Sequence, residues 1–247
     1  MKKRLAAVFV VLSLACGLAV PAWAAEGADW RKTEEEFTAE YVARWQEEHP
    51  EEWAAFDADA WYHKEYNAME KETFLELYEL DEEAFRVEMW KEEREEEITR
   101  AYDRYVTGAY EAAFPGNIDE VGIPWAVMVF GWESLEVFAA ETSEGDMEAA
   151  RLYLASAYVR GRQGVAYNHE ESLKYREQYP GSWEGFDPDK GYEGYWAYMK
   201  QNNMARYGLQ NEVEWKEYGY VRYMEGGQYA YEQEQAAKRE EYPGRWP

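Results

Sequence analysis

An internal repeat with a period of 65 residues constrains the fold of this chain more than any other feature. Residues 45–59 and 175–189 align without a gap at twice that spacing, and both contain a Trp-x-x-Phe-Asp signature. A Pro-Gly element at residues 115–116 recurs 65 residues later at 180–181. A fixed period of this length indicates tandem supersecondary units, each of which buries its apolar surface against its neighbours.

The repeat divides the chain into five segments. They are 1–24, a signal peptide; 25–113, repeat unit 1 with a lead-in helix; 114–178, repeat unit 2 with a divergent apolar centre; 179–241, repeat unit 3; and 242–247, the start of a further repeat or a terminal cap.

Each unit is predicted to form a pair of helices. Asp57 and Asp187 are expected N-caps because a carboxylate accepts the free N–H groups of a first turn, and Pro188 suits the first helical position. Second caps are predicted at Asp81 and Asp146. No segment shows sustained two-residue alternation, so the predicted fold class is all-α: helix-pair repeats of about 65 residues, stacked in an array with Pro-Gly turns.

Apolar residues at helical spacing extend this prediction. The first helix of unit 1 is expected to bury Phe74, Leu77 and Tyr78, and the second to run from Asp81 to about Ala113. The predicted buried positions of that second helix are Phe85, Met89, Ile98, Tyr102, Tyr105 and Ala109.

Two segments depart from the common pattern. Ile123–Trp132 is the most apolar stretch after the N-terminal segment and is predicted to be a buried central helix. Unit 3 carries Gly219, Gly226 and Gly227 where unit 1 has helix formers. Since each glycine costs about 1 kcal/mol in a helix interior, the long helix of unit 3 is expected to be broken or mobile.

The N-terminal segment has the features of an export signal. Basic residues at positions 2–4 precede an apolar run and a small-x-small site at residues 22–24. Cleavage after Ala24 predicts a secreted, extracytoplasmic mature chain. The alternative is a lipoprotein anchored at Cys16, where Leu-Ala-Cys-Gly partly matches a lipid attachment motif. Simple cleavage removes this single cysteine, and with it any disulfide or thiol chemistry.

The charge of the chain excludes several classes of partner. It has 51 acidic and 26 basic residues, a formal charge of −25 that becomes −28 when the three basic residues of the signal are removed. Nucleic acids and anionic membranes require basic surfaces, so neither is an expected partner, and no membrane span is expected in the mature chain. An aromatic content of 17% favours a folded chain over a disordered one.

Histidines and paired aspartates are the candidate metal ligands. None of the three histidines, His49, His63 and His169, belongs to a His-Glu-x-x-His motif, and His49 is expected to pack as a ring beside the turn. The Asp57-x-Asp59 and Asp187-x-Asp189 pairs suit calcium, but the remaining EF-hand ligands are missing. Helix capping is therefore the preferred interpretation, calcium stays open, and no metal, cofactor or catalytic residue is predicted.

A tyrosine cluster supplies the candidate binding residues: Tyr218, Tyr220, Tyr223, Tyr229 and Tyr231. Five rings within fourteen residues exceed what one narrow core stripe accommodates, so some are expected at a binding surface. The alternative is a wide aromatic core between stacked helices.

The segment Leu80–Trp90, with Tyr66 and Phe74 upstream, resembles two groups of proteins. One comprises uncharacterised exported, acidic, Tyr/Trp-rich helical-repeat proteins of Gram-positive gut bacteria with Pro-Gly-x-Trp-x-x-Phe-Asp signatures, and this resemblance implies no function. The other is the helical region of extracytoplasmic foldases similar to SurA and PrsA, matched by residues 62–105. No parvulin-type domain is recognisable, so that resemblance does not imply prolyl isomerase activity.

The sequence favours an exported, non-enzymatic interaction protein whose partner is a protein, a peptide or a glycan. An alternative is an extracytoplasmic holdase that shields unfolded clients on apolar helix faces. A third is a cell-wall glycan hydrolase, which requires two carboxylates about 5–10 Å apart. With 51 acidic residues the sequence selects no such pair.

Overall fold

A computed structural model describes residues 28–66, 69–190 and 195–241, without the side chains of residues 195–198 and 241. Regular structure in this part of the chain is helical throughout, so the all-α prediction is confirmed. The predicted signal peptide and the segment 242–247 lie outside the described residues.

The described residues form two compact units that meet in sequence between Ala113 and Phe114. The helices of the first unit are α1 (Glu34–Glu48), α2 (Pro50–Ala55), α3 (Ala58–Glu65), α4 (Lys71–Tyr78), α5 (Glu82–Glu93) and α6 (Glu95–Ala113). Those of the second are α7 (Ile123–Val129), α8 (Leu135–Thr142), α9 (Met147–Gln178), α10 (Tyr195–Arg206), α11 (Glu212–Glu225) and α12 (Gln228–Glu241). A π-helical turn, Ile118–Gly122, leads directly into α7.

The core of the first unit is formed chiefly by α5 and α6 packing against α1 and α3. All six positions predicted to be buried along this stretch are buried. The helix itself is not continuous, because Arg94 leaves the helical conformation at φ −113° and separates α5 from α6. Its guanidinium lies 4.9 Å from the Trp45 ring centroid and 5.2 Å from that of Trp90. Three consecutive glutamates then favour a new helix start by facing its positive end.

The apolar stripe predicted for α4 is right for Phe74 and wrong for Leu77 and Tyr78. Phe74 and Leu75 pack against the core cluster of Tyr62, Phe85 and Met89. Leu77 and Tyr78, in contrast, are 62% and 58% exposed. The helix has only eight residues and ends at Glu79, whose φ of +53° turns the chain away before the last turn reaches the core.

The second unit is built around α9, against which α7, α8 and α11 pack. The prediction of a buried central helix at residues 123–132 is only partly right. The helix ends at Val129 and buries Ile123 and Ala126, whereas Met128 and Phe130 are 59% and 44% exposed. The helix therefore carries apolar residues at the surface as well as in the core.

The glycines of α11 have different effects. Gly219 does not interrupt the helix, and a Cβ there would lie 3.4 Å from Cζ of Phe186, so the glycine admits a close ring contact. Gly226 and Gly227 do end the helix, the latter at φ +74°. The prediction of a break was therefore correct for this pair and wrong for Gly219.

Three of the four predicted N-caps are present in the structure. Asp57, Asp81 and Asp146 each accept N–H groups at the start of α3, α5 and α9. Asp187 does not cap a helix: its carboxylate accepts the N–H of Asp189 at 2.9 Å, and residues 188–190 form a turn. The prediction that Pro188 opens a helix is wrong because this Asx turn satisfies the same carboxylate locally.

Helix landmarks recur at the spacing seen in the sequence. The long helices α5, α9 and α11 have N-caps at Asp81, Asp146 and Asn211, successive positions 65 residues apart. Helices α1, α6 and α9 end at residues 48, 113 and 178, which are also 65 apart. Two non-glycine residues adopt positive φ among the described residues, and these too, Glu79 and Glu144, are 65 apart.

Candidate functional site

The five predicted binding tyrosines do not form one exposed surface. Tyr220 is fully buried and contacts the rings of Trp183 and Phe186 at 5.2 and 5.5 Å. Tyr218, Tyr223 and Tyr229 are half-buried, and Tyr231 is 56% exposed. Several of these rings thus belong to an aromatic core, the alternative that the sequence left open. A role of the cluster in binding stays a prediction.

Tyr223 shows how these rings are held. Its hydroxyl donates a hydrogen bond of 2.8 Å to Glu232, and its ring lies 5.2 Å from that of Phe186. Burial and the neighbouring carboxylate raise the pKa of Tyr223 to about 12. The side chain is therefore a neutral donor that ties α12 to α11.

The strongest candidate site is a groove of about 860 Å³ in the second unit, between α7, α9, α10 and α11. We call it the α9 groove. Its floor, the buried part of the lining, is apolar and consists of Val165, Leu209 and Val221. This volume is within the range of small-ligand pockets.

Aromatic side chains form one wall of the α9 groove. Tyr207 and Tyr218 stack with ring centroids 4.9 Å apart and an interplanar angle of 28°. Tyr218 in turn stacks on the buried Trp215 at 6.0 Å, which connects the wall to the core. Tyr207 is 36% exposed and presents its ring at the surface.

Trp125 from α7 occupies the same groove. Its indole N–H donates a hydrogen bond of 2.7 Å to the carbonyl of Ala205 and so fixes the end of α10. Gly208 has φ +65° and passes close to this ring, since a Cβ there would lie 3.5 Å from it. Arg162 holds the following loop, donating to the Gly208 carbonyl at 3.0 Å and to Glu214 at 3.1 Å.

Guanidinium groups lie over the aromatic wall. Arg222 is 4.7 Å from the ring centroid of Tyr218, and both Arg222 and Arg206 are 5.9 Å from that of Tyr207. Both arginines are exposed, and neither is paired with a carboxylate among the described residues. A guanidinium stacked on a ring keeps its N–H edge available for a carboxylate.

One edge of the α9 groove is closed by a hydrogen bond between α9 and α11. The Tyr167 hydroxyl donates to Glu225 at 2.7 Å, and this bond, with burial, raises the pKa of Tyr167 to about 12. Glu225 is the single carboxylate in the lining, against the three arginines Arg160, Arg206 and Arg222. The lining therefore has a formal charge of +2 in a chain with a formal charge of −25.

A buried ionic cluster lies elsewhere on the same helix pair. Glu217 is 4% exposed, and its carboxylate lies 3.0 Å from Nδ1 of His169 and 3.2 Å from Nη2 of Arg176. The Arg176 guanidinium also stacks 3.4 Å from the ring centroid of Trp183. These contacts give His169 and Arg176 structural partners.

A smaller groove of about 550 Å³ lies between α1 and α5 of the first unit. Its lining includes Glu34, Glu35, Thr38 and Lys91. Residues 130 positions later, Gly164, Val165, Asn168 and Val221, all line the α9 groove. The two units thus have a groove at corresponding positions of the repeat. Glu34 and Glu35 line the first groove where Gly164 and Val165 line the second.

The other candidate residues have structural partners. The His49 ring packs 4.8 Å from that of Trp45 beside the turn, as predicted. Asp59 pairs with Lys71 at 2.6 Å, and Asp189 pairs with Lys200 at 2.8 Å. Among the described residues no three His, Cys, Asp or Glu side chains are grouped to hold a metal ion.

No protein-family model, curated protein or solved structure matches this chain. In the part of the chain that the structure describes, no helix combines the length and apolar character needed to cross a membrane.

Sequence reasoning selected Tyr218 but missed the rest of the groove. Trp125, Arg206, Tyr207 and Arg222 come from three helices or their ends, and no local motif connects them.

Proposed function

We propose that this chain is an exported, non-enzymatic binding protein and that its α9 groove takes an extended segment of a partner protein. The observation that carries the proposal is the pair of exposed arginines stacked on the Tyr207–Tyr218 wall above an apolar floor. Tyrosine and arginine are the residue types enriched at energetically important positions of interfaces.

A peptide fits this groove better than a neutral glycan does. Sugar recognition depends on many side-chain acceptors and donors around an aromatic platform. Here the floor is apolar, and the lining carboxylate, Glu225, is already engaged by Tyr167. Apolar side chains of a peptide would bury against Val165, Leu209 and Val221.

The tandem-repeat arrangement is part of the same proposal. The matched N-caps, helix ends and grooves support it, because independent helices would not share one register. On this basis the two grooves are versions of one site, of which the second is lined by aromatic residues and three arginines and the first by neither.

Substitution of Tyr207 tests the binding site. Tyr207→Ala removes a partly exposed ring and should reduce affinity for peptides selected on the native chain by about tenfold or more. Tyr231→Ala is the matched control, since Tyr231 is 56% exposed and lies outside the groove. If affinity falls equally in both variants, or falls only in Tyr231→Ala, then the tyrosine cluster is the binding site and the α9 groove is not.

Export is tested separately. The proposed cleavage predicts a secreted chain that begins at Ala25, which intact-mass measurement of culture supernatant would detect. A membrane-extracted, lipidated species beginning at Cys16 would instead establish the lipoprotein alternative.

A further inference from the structure

We propose that the α9 groove selects acidic segments: an extended stretch of a partner protein in which Asp or Glu side chains flank an apolar residue. This inference rests on the proposed function and adds the chemistry of the ligand. Its central observation is a reversal of charge, since the lining has three arginines and one glutamate where the whole chain has 26 basic and 51 acidic residues.

The geometry of Arg206 and Arg222 suits carboxylate recognition. Each guanidinium lies over a tyrosine ring and is exposed, which leaves its N–H groups accessible to a carboxylate of a ligand. Planar pairing of a guanidinium with a carboxylate forms two parallel hydrogen bonds and is among the stronger polar contacts in proteins. Lysine, a point charge, would not reproduce this arrangement.

The remainder of the lining identifies the apolar part of the ligand. Val165, Leu209 and Val221 lie on the floor, and Trp125 and Phe130 add ring surface. An apolar side chain would bury on this floor while flanking carboxylates reach the arginines at the rim. A uniformly acidic polymer such as a polyuronate would leave the floor unused, so a peptide is favoured.

The charge of the rest of the chain further restricts which partners can bind. Outside the groove the acidic residues outnumber the basic ones, so a partner with high overall negative charge is repelled. The preferred partner is therefore a protein of modest net charge that presents a local acidic and apolar segment.

Selection from a random hexapeptide library tests the ligand class on the mature chain. The peptides are displayed between fixed flanking linkers, so that free terminal carboxylates cannot supply the charge. We expect Asp and Glu to be enriched beside apolar residues. Affinity for the selected peptides should fall about tenfold in Arg222→Gln and in Arg206→Gln, as expected when a charge-assisted hydrogen bond is lost.

Two further variants serve as controls. Arg239→Gln removes the same charge from an exposed position of α12 outside the groove and should change affinity less than twofold. Arg222→Lys keeps the charge and should still lose several-fold, because it lacks the planar fork. Equal affinities for native chain, Arg222→Gln and Arg206→Gln would overturn the proposal.

The other outcomes separate this inference from the proposed function. Selection of neutral or basic peptides that need Tyr207 but neither arginine would overturn acidic selectivity and leave the binding function intact. No selected peptide at all would overturn both. If polygalacturonate binds in an arginine-dependent way and no peptide binds, then the ligand is an acidic glycan. Arginine-dependent self-association in sedimentation would make it a second copy of this chain, and either result overturns the peptide assignment.

Discussion

At the scale of single residues, two lysines 129 positions apart, one position short of the repeat offset of 130, make equivalent local contacts. Lys71 bridges Asp59 at 2.6 Å and Glu82 at 2.7 Å above the ring of Phe85. Lys200 bridges Asp189 and Glu212 near the ring of Trp215, with equivalents of the carboxylates and ring at the offset of 130. Each lysine ties the start of a long helix to the preceding turn or helix.

Removal of either lysine should destabilise its unit. Both side chains are only 16% exposed, so Lys71→Met and Lys200→Met each leave two carboxylates without their cation. We expect a loss of about 1 kcal/mol in the free energy of unfolding, at the upper end for partly exposed ion pairs. Urea denaturation measures it. Lys174→Met, at a side chain that is 68% exposed with one carboxylate partner, should leave the urea midpoint unchanged.

The Lys200 bridge also predicts a pH dependence. The hydrogen bond from Lys200 lowers the pKa of Asp189 below its usual 3.8, against the opposing effect of burial, and the Trp215 N–H lowers it further. A carboxyl with a lower pKa in the folded state contributes stability above its unfolded pKa and loses it as the pH falls through the folded value. The stability difference between the native chain and Asp189→Asn should be constant from pH 7 to about 5 and shrink below about pH 4. A difference that grows towards pH 3 would contradict the assignment.

At the scale of helices, sequence reasoning succeeded where local chemistry decides the outcome. The caps at Asp57, Asp81 and Asp146 follow from a side chain and its own first turn, and the heptad-like positions of α5 and α6 follow from helical period. The break at Arg94 was missed because its guanidinium contacts Trp45, a ring that lies far from it in sequence. The α9 groove was missed for the same reason, since Trp125 and Tyr207 come together only through packing on α9.

The buried cluster at Glu217 permits a test of the repeat register. At the offset of 130, His169, Arg176 and Glu217 correspond to Ala39, Gln46 and Val87 of the first unit. Glu217→Val alone leaves Arg176, 28% exposed, without its carboxylate and should cost about 2 kcal/mol. Replacement of all three by their counterparts should recover most of that loss, because no charged group is then left without its partner.

Chemical denaturation of the single and triple variants provides the comparison. The residual deficit of the triple variant should reflect the lost stacking of Arg176 on Trp183, worth about 1 kcal/mol. If the triple variant is less stable than Glu217→Val, then the corresponding positions do not share an environment and the register is wrong at this helix pair.

At the scale of the whole molecule, the chain consists of two compact units joined at residues 113–114, where α6 ends and a Pro-Gly turn follows. The buried clusters of the second unit, such as Val165, Leu209 and Trp215, are drawn from its own residues. All lining residues of the α9 groove also belong to that unit. A compact body with its own core and its own site meets the physical criteria of a folding domain.

Residues 114–247 expressed alone should therefore fold and retain peptide binding. We expect a helical circular dichroism spectrum, a single cooperative thermal transition, and affinity within about twofold of the full mature chain for peptides selected on the latter. Residues 147–247 form the matched control. This fragment lacks α7 and α8, so it exposes the face of α9 that they cover and removes Trp125 from the groove. We therefore expect it to show no cooperative thermal transition. If the longer fragment also lacks a cooperative transition, the second unit depends on the first for its stability, and the groove is a property of the complete chain.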